Sequence, residues 1–357
     1  MKIAPVIRSF EIKNKALEMS GNLHRIQSVI VHSGQHYDSS MSDIFLQELN
    51  IRPDIYLSVG SGSHAEQTAK IMMAFEAVCL KENPDLVLLV GDVNTTLAGA
   101  LVASKIHIPI AHVEAGLRSF DRSMPEEINR VLTDAISDLL FITESDAEEN
   151  LIKEGISKDR IFFVGNVMID SLLQIEAQLS PVKVLEHFQL QSNNYALVTL
   201  HRPESVDDPG TLTTLVSTLN HLQEQIPVIF PVHPRAKMKL EQLKNFSFGS
   251  HLKIVKPLSY PDFISLMKLA RFVITDSGGI QEETTALNIP CITVRKATER
   301  PITVTMGTNV VAGLDPDRIL SYCNQAIRGE WKSSNMPPLW DGQAAGRIVD
   351  VLCAKYL

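Results

Sequence analysis

Three acidic side chains stand where apolar runs give way to turns or helices. Asp92 follows Asp85-Leu86-Val87-Leu88-Leu89-Val90, in Gly91-Asp92-Val93-Asn94-Thr95-Thr96. Glu114 ends a second apolar stretch, in His112-Val113-Glu114-Ala115-Gly116-Leu117-Arg118. Glu126 opens a helix-like segment, Pro125-Glu126-Glu127-Ile128-Asn129-Arg130. Each has a plainer reading. Asp or Asn before Thr-Thr suits a helix N-cap, Glu114 has Arg118 as an ion-pair partner, and acids in a first turn are routine partners of the helix dipole. Asn94 fills the cap role, which leaves Asp92 for other work, and the small residues after Glu114 leave room for a ligand. Three carboxylates in one half of the chain suggest general acid/base chemistry.

The second half carries groups suited to anions. His201-Arg202-Pro203-Glu204 and His233-Pro234-Arg235 put imidazole and guanidinium groups after apolar runs, and arginine's fork matches a diphosphate. In Phe272-Val273-Ile274-Thr275-Asp276-Ser277-Gly278-Gly279-Ile280-Gln281-Glu282-Glu283 a strand feeds a helix through two glycines. Free N–H groups at such a helix N-terminus attract anions. Glu282 and Glu283 would repel one, so either they soften the helix dipole or they have partners of their own, such as sugar hydroxyls. Arg295-Lys296-Ala297-Thr298-Glu299-Arg300-Pro301 is a solvated loop or a diphosphate clamp. No HExxH or comparable metal spacing occurs.

These residues need elements to position them. Strand-like stretches at 26–31, 85–90, 108–113, 139–143 and 161–164 alternate with helix-like stretches at 65–80, from 95, at 126–136 and at 147–154. A more polar stretch, 177–194, reads as a linker. The alternation restarts with strands at 195–200, 227–232, 252–255, 272–274 and 291–294, and helices at 261–269 and 281–287. Near-continuous apolar strands between helices imply parallel sheets. The expected fold is α/β, with two Rossmann-like doubly wound domains facing a cleft. Asp92, Glu114, His201, His233 and Ser277 all fall at or just past strand ends, the edge where open α/β sheets bind ligands.

With 357 residues, two domains are expected. The net charge of −8 argues against a nucleic-acid or anionic-membrane binder, while leaving room for a local basic pocket. Cys79, Cys291, Cys323 and Cys353 form no CxxC pair and read as buried free thiols in a reducing compartment. No signal peptide or membrane-spanning window is visible, which places the expectation in the cytoplasm. The motifs GxGxxG, GxxxxGK[ST] and GxSxG are lacking, which argues against a dinucleotide fingerprint, a P-loop kinase and an α/β-hydrolase.

Taken in order, the segments Ser33-Gly34-Gln35-His36, Gly91-Asp92, the Glu114 and Glu126 motifs, Gly165-Asn166, His201-Arg202-Pro203-Glu204, Pro231-Val232-His233-Pro234, the Asp276-to-Glu283 motif and Thr298-Glu299-Arg300-Pro301 resemble the non-hydrolysing UDP-N-acetylglucosamine 2-epimerases. The resemblance covers nearly the whole chain. It implies a GT-B architecture, with domains over 1–168 and 169–340 and a C-terminal helix, 341–357, crossing back to the first. It implies interconversion of UDP-GlcNAc and UDP-ManNAc at C2, by loss of UDP to a 2-acetamidoglucal and its re-addition, without redox cofactor or metal. By resemblance Asp92, Glu114 and Glu126 are the acid/base candidates, and His201 meets the diphosphate. Ser277, Gly278 and Gly279 bind phosphate, Glu283 the ribose, Arg300 the diphosphate, and Lys2 matches an active-site lysine. Gln35, Glu127, Arg202 and His233 match a second, allosteric UDP-GlcNAc site. Dimers are usual in the family, so a homodimer is expected.

A GT-B glycosyltransferase, a hydrolysing epimerase and an inactive UDP-sugar binder are the alternatives. The last arises from the chain's opening. Lys2-Ile3-Ala4-Pro5-Val6-Ile7-Arg8 reads as the first helix, so the first strand of the N-terminal domain and the Gly-Thr-Arg-Pro-Glu turn that the family places before that helix are missing. The expectation is either a true start upstream or a chain that is unstable and nearly inactive.

Overall fold

The computed structural model describes residues 2–34, 51–232, 234–242 and 248–357. Two compact units are present: residues up to Leu173 together with Pro338–Leu357, and Gln174–Pro337.

In the first unit, helix α1 spans Ala4–Met19 and is followed by two short strands, β1 (Val31–His32) and β2 (Ile55–Tyr56), which pair in parallel. Of the strand expected at 26–31 only its last residue is in β1. Its Ile30 amide is instead held by the Asp54 side chain at 2.7 Å. Helix α2 (His64–Glu82) leads to β3 (Val87–Val90), α3 (Asn94–Lys105), β4 (Ile110–Ala115), α4 (Pro125–Ile136), β5 (Leu139–Ile142), α5 (Ser145–Lys153) and β6 (Ile161–Phe163). Strands β3, β4, β5 and β6 form a parallel sheet in that order, separate from the β1–β2 pair. Among the described residues no strand precedes α1. Every β4 and β5 residue is buried, as strands covered on both faces must be. One face packs with Val6 of α1 and with Ala345, Ile348 and Leu352 of the C-terminal helix Ala344–Tyr356.

The second unit holds a six-stranded parallel sheet among the described residues. Its strands are β7 (Ala196–Thr199), β8 (Val228–Pro231), β9 (Leu252–Val255), β10 (Phe272–Thr275), β11 (Cys291–Thr293) and β12 (Asn309–Val311), in the order β12-β11-β10-β7-β8-β9. The chain winds outward from β7 to β9 and returns to β10 on the other side of β7. The C-terminal ends of β7 and β10 therefore flank the point where strand order reverses, the place where doubly wound sheets take ligands. The stretch expected as a linker instead contains a helix, Pro181–Phe188, whose Val184 is buried. Its apolar residues sit at helical spacing within a polar stretch, and packing overrides composition.

Candidate active site

At the ends of β3 and β4 the first unit gathers buried charge. Asn94 is the first residue of α3 rather than its cap; the N-cap position is Val93. The Asn94 side chain instead donates to Gln67 Oε1 at 2.7 Å. Asp92, half-buried, accepts from Arg130 Nε at 2.9 Å, and its backbone carbonyl accepts from Asn129 Nδ2 at 2.9 Å. Arg130, almost fully buried in α4, also holds Glu127. The Glu127 carboxylate accepts from the backbone N–H groups of Ser119 and Phe120, each at 2.9 Å, and so pins the loop between β4 and α4. Glu126, its neighbour, is half-buried in the first turn of α4.

Glu114 departs from regular strand geometry. The β4–β5 register shifts between Val113 and Ala115, and Glu114 has φ +70°. A bulge re-aims a side chain, and a left-handed glutamate marks local backbone strain of the kind found at functional sites. Glu114 is 2% exposed, and Lys2 Nζ lies 2.5 Å from its carboxylate. The pairing of Glu114 with Arg118 suggested by their spacing does not form. Arg118 turns instead to Asp134, at 2.8 Å, and Glu154, at 2.6 Å. Position +4 from a strand residue does not lie alongside it as it would on a helix.

In the second unit His201 and Asp276 follow β7 and β10 and meet across the switch point. His201 Nδ1 is 3.0 Å from Asp276 Oδ1, and the backbone N–H groups of His201 and Arg202 donate to Asp276 Oδ2, each at 2.9 Å. Burial pushes the Asp276 carboxyl up, but the His201 ring and the two N–H groups outweigh it and hold it below the usual carboxylate range. Asp276 is thus the residue that fixes the His201 loop, a role its turn-forming type did not reveal.

Ser277 occupies the N-cap position of helix Gly278–Ala286, which starts three residues before the apolar pattern suggested. Its own side chain makes no cap hydrogen bond. A Cβ on Gly278 would stand 2.6 Å from Glu299 Oε1, so any side chain there would have to displace the Glu299 carboxylate. Gly279 follows, half-buried. Glu282 and Glu283 both have internal partners. Arg300 Nε lies 2.7 Å from Glu282, and the Tyr260 hydroxyl donates to Glu283 at 2.7 Å. Burial, with the Glu282 charge adding to it, raises the Glu283 carboxyl to about 8 despite the Tyr260 bond.

The basic run is not a solvated loop either. Arg295 and Arg202 reach Glu299 at 2.7 and 3.3 Å. Burial would raise the Glu299 carboxyl, yet Arg300, Arg295 and Arg202 together bring it down to about 2. Gln35 and His233 lie outside the described residues. Among the described residues no group of three His, Cys, Asp or Glu side chains is placed to hold a metal ion, and no helix is long and apolar enough to cross a membrane. Cys79, Cys291 and Cys323 are buried free thiols, while Cys353 is only half-buried.

The family described as UDP-N-acetylglucosamine 2-epimerase matches residues 19–353. The chain belongs to this epimerase family. A UDP-N-acetylglucosamine 2-epimerase of Methanococcus maripaludis is 43% identical over 361 residues, 99% of this chain and 94% of that protein. The crystal structure of the Methanocaldococcus jannaschii UDP-GlcNAc 2-epimerase in complex with UDP-GlcNAc and UDP is 42% identical. It superposes with a TM-score of 0.86 over 99% of this chain and 96% of that one. A UDP-2,3-diacetamido-2,3-dideoxy-D-glucuronate 2-epimerase of Pseudomonas aeruginosa is 41% identical over 332 residues, 92% of this chain and 91% of that protein. Membership in the epimerase family agrees with the ordered motifs, and the α/β class with parallel sheets is as the sequence implied.

Proposed function

We propose that the protein is a non-hydrolysing epimerase that interconverts UDP-GlcNAc and UDP-ManNAc at C2. The observation that carries this is Glu114: a buried carboxylate on a strained bulge, paired with Lys2, within a chain matching the epimerase family over most of its length. The C2 proton is not α to a carbonyl, so direct removal is very hard. Loss of UDP across C1–C2 gives a 2-acetamidoglucal: the C2–H electrons form the double bond, the C1–O electrons leave on the diphosphate, and the proton goes to a base. Re-addition of UDP with protonation from the other face completes inversion. Asp92, Glu114 and Glu126 handle the protons. His201, Arg300 and the N–H groups after Ser277, at Gly278 and Gly279, stabilise charge on the leaving diphosphate. Glu283 accepts from the ribose hydroxyls, where its raised proton affinity is exchanged for hydrogen bonds. Gln35, Glu127, Arg202 and His233 serve a second, activating UDP-GlcNAc site. Domains over 1–168 and 169–340 with a terminal segment 341–357, a homodimer and a cytoplasmic location complete the reading.

The experiment is incubation of the purified chain with UDP-GlcNAc alone. UDP-ManNAc forms without any acceptor, which a glycosyltransferase would require. Release of free ManNAc and UDP would mark a hydrolysing enzyme instead. Because the Pseudomonas relative is nearly as similar, UDP-2,3-diacetamido-2,3-dideoxy-D-glucuronate is run in parallel. Exclusive turnover of that sugar would reassign the substrate and leave the reaction class intact.

A further inference from the structure

His112 lies in the middle of β4 with no exposed surface, and both of its ring nitrogens are engaged. Nδ1 stands 2.6 Å from Asp134 Oδ1 and Nε2 stands 2.8 Å from the Gly91 carbonyl oxygen. A carboxylate and a carbonyl both accept, so both contacts are hydrogen bonds when each ring nitrogen carries a proton, that is, in the imidazolium form. Asp134 balances that charge and also accepts from the Gly116 N–H at 3.0 Å. The Gly116 carbonyl in turn accepts from Asn150 at 3.0 Å. Around the ring the charged groups are Asp134 from α4, Glu114 from β4 itself with its Lys2 partner, and Arg118 from the following loop with Glu154, which follows α5.

This one side chain grips the strand end that carries Asp92 and, through Asp134, the bulge that carries Glu114. Gly91 has φ +76° and Gly116 φ +77°, so both gripped residues sit in left-handed turns that a regular strand would not hold. We infer that His112, clamped between Asp134 and the Gly91 carbonyl, is a positioning residue that sets the separation of the Asp92 and Glu114 carboxylates for proton transfer at C2. The inference rests on the functional reading above and adds to it a residue outside the reacting set. Burial would drive the ring neutral, but Asp134, the Gly91 carbonyl and Glu114 outweigh it and raise the ring's proton affinity.

Two substitutions divide the clamp. In His112→Asn the amide nitrogen takes the place of Nδ1 and keeps the Asp134 bond while releasing Gly91. In His112→Gln it takes the place of Nε2 and keeps the Gly91 bond. Misplacing a reacting group by about 1 Å costs on the order of 100-fold in rate. His112→Asn and His112→Gln, each of which frees one end of the clamp, are therefore each expected to lose at least ~30-fold in kcat with KM within ~threefold of wild type. Near-wild-type kcat in either variant, or a loss carried by KM, overturns the positioning role. Should both variants melt below the assay temperature, the wild-type ring is read directly by nitrogen-edited NMR at pH 8. Two ring N–H signals support the clamp, and one signal overturns it. A wild-type chain that epimerises neither UDP-sugar counts against the functional reading alone, and the ring signals still decide the clamp.

Discussion

Lys2 and Glu114 meet at 2.5 Å although 112 residues separate them. The contact joins a residue two positions before α1 to the bulge in β4, and it brings a cation to the most buried of the three acid/base candidates. Glu114→Gln keeps the shape and removes the proton-transfer capacity. It is expected to bind UDP as wild type does and to lose at least ~100-fold in turnover, the scale of one general acid/base group. Steady-state rates with UDP-GlcNAc and calorimetry with UDP check both halves, and near-wild-type turnover would remove Glu114 from the mechanism.

Ser277→Ala should weaken UDP binding by roughly tenfold, about the net worth of one hydrogen bond to a charged group. The helix N-terminus itself remains. An unchanged UDP dissociation constant would mean that the hydroxyl takes no part in holding phosphate.

Arg130 holds Asp92 and Glu127 from α4. Arg130→Met leaves the buried Glu127 carboxylate without its cation. Breaking a buried pair in this way costs about 3–5 kcal/mol. Denaturant unfolding measures it, and a loss below ~1 kcal/mol would show that the backbone N–H groups of Ser119 and Phe120 suffice for Glu127.

Glu283 gives a pH signature of uncommon sign. Its folded carboxyl is raised to about 8, above an ordinary glutamate near 4.5. Between those values the folded chain holds a proton that the unfolded chain has lost, so this group's contribution to stability falls as pH rises through that window and levels off above about 8. Glu283→Gln removes the titration. The melting temperature of wild type relative to Glu283→Gln should therefore decline between pH 5.5 and 8. A constant difference would contradict the buried, protonated state.

Much of this site was legible because α/β chains place function at strand ends. Asp92, Glu114, His201 and Ser277 could all be marked there without coordinates, since an apolar run that stops at a polar residue gives away its edge. The partners were not legible. His201 finds Asp276 across 75 positions, and Arg118 passes over Glu114 for Asp134 and Glu154. Which carboxylate an arginine meets depends on strand order and on the bulge, and neither leaves a local signal. Asn94 shows the limit at short range too: its type suits a cap, yet its amide is drawn to Gln67 of α2. The helix Pro181–Phe188 was hidden by polar neighbours for the same reason, because only its buried face registers the core.

The central claim is that C2 loses its proton to the protein and regains one from the opposite side. The direct measurement is proton NMR of UDP-GlcNAc incubated with the chain in D2O and no acceptor. The account predicts UDP-ManNAc carrying deuterium at C2, with the UDP-GlcNAc pool becoming deuterated as the reaction reverses. UDP-ManNAc that keeps its original C2 proton would contradict deprotonation with exchange, and a substrate that stays unchanged would contradict the epimerase reading itself.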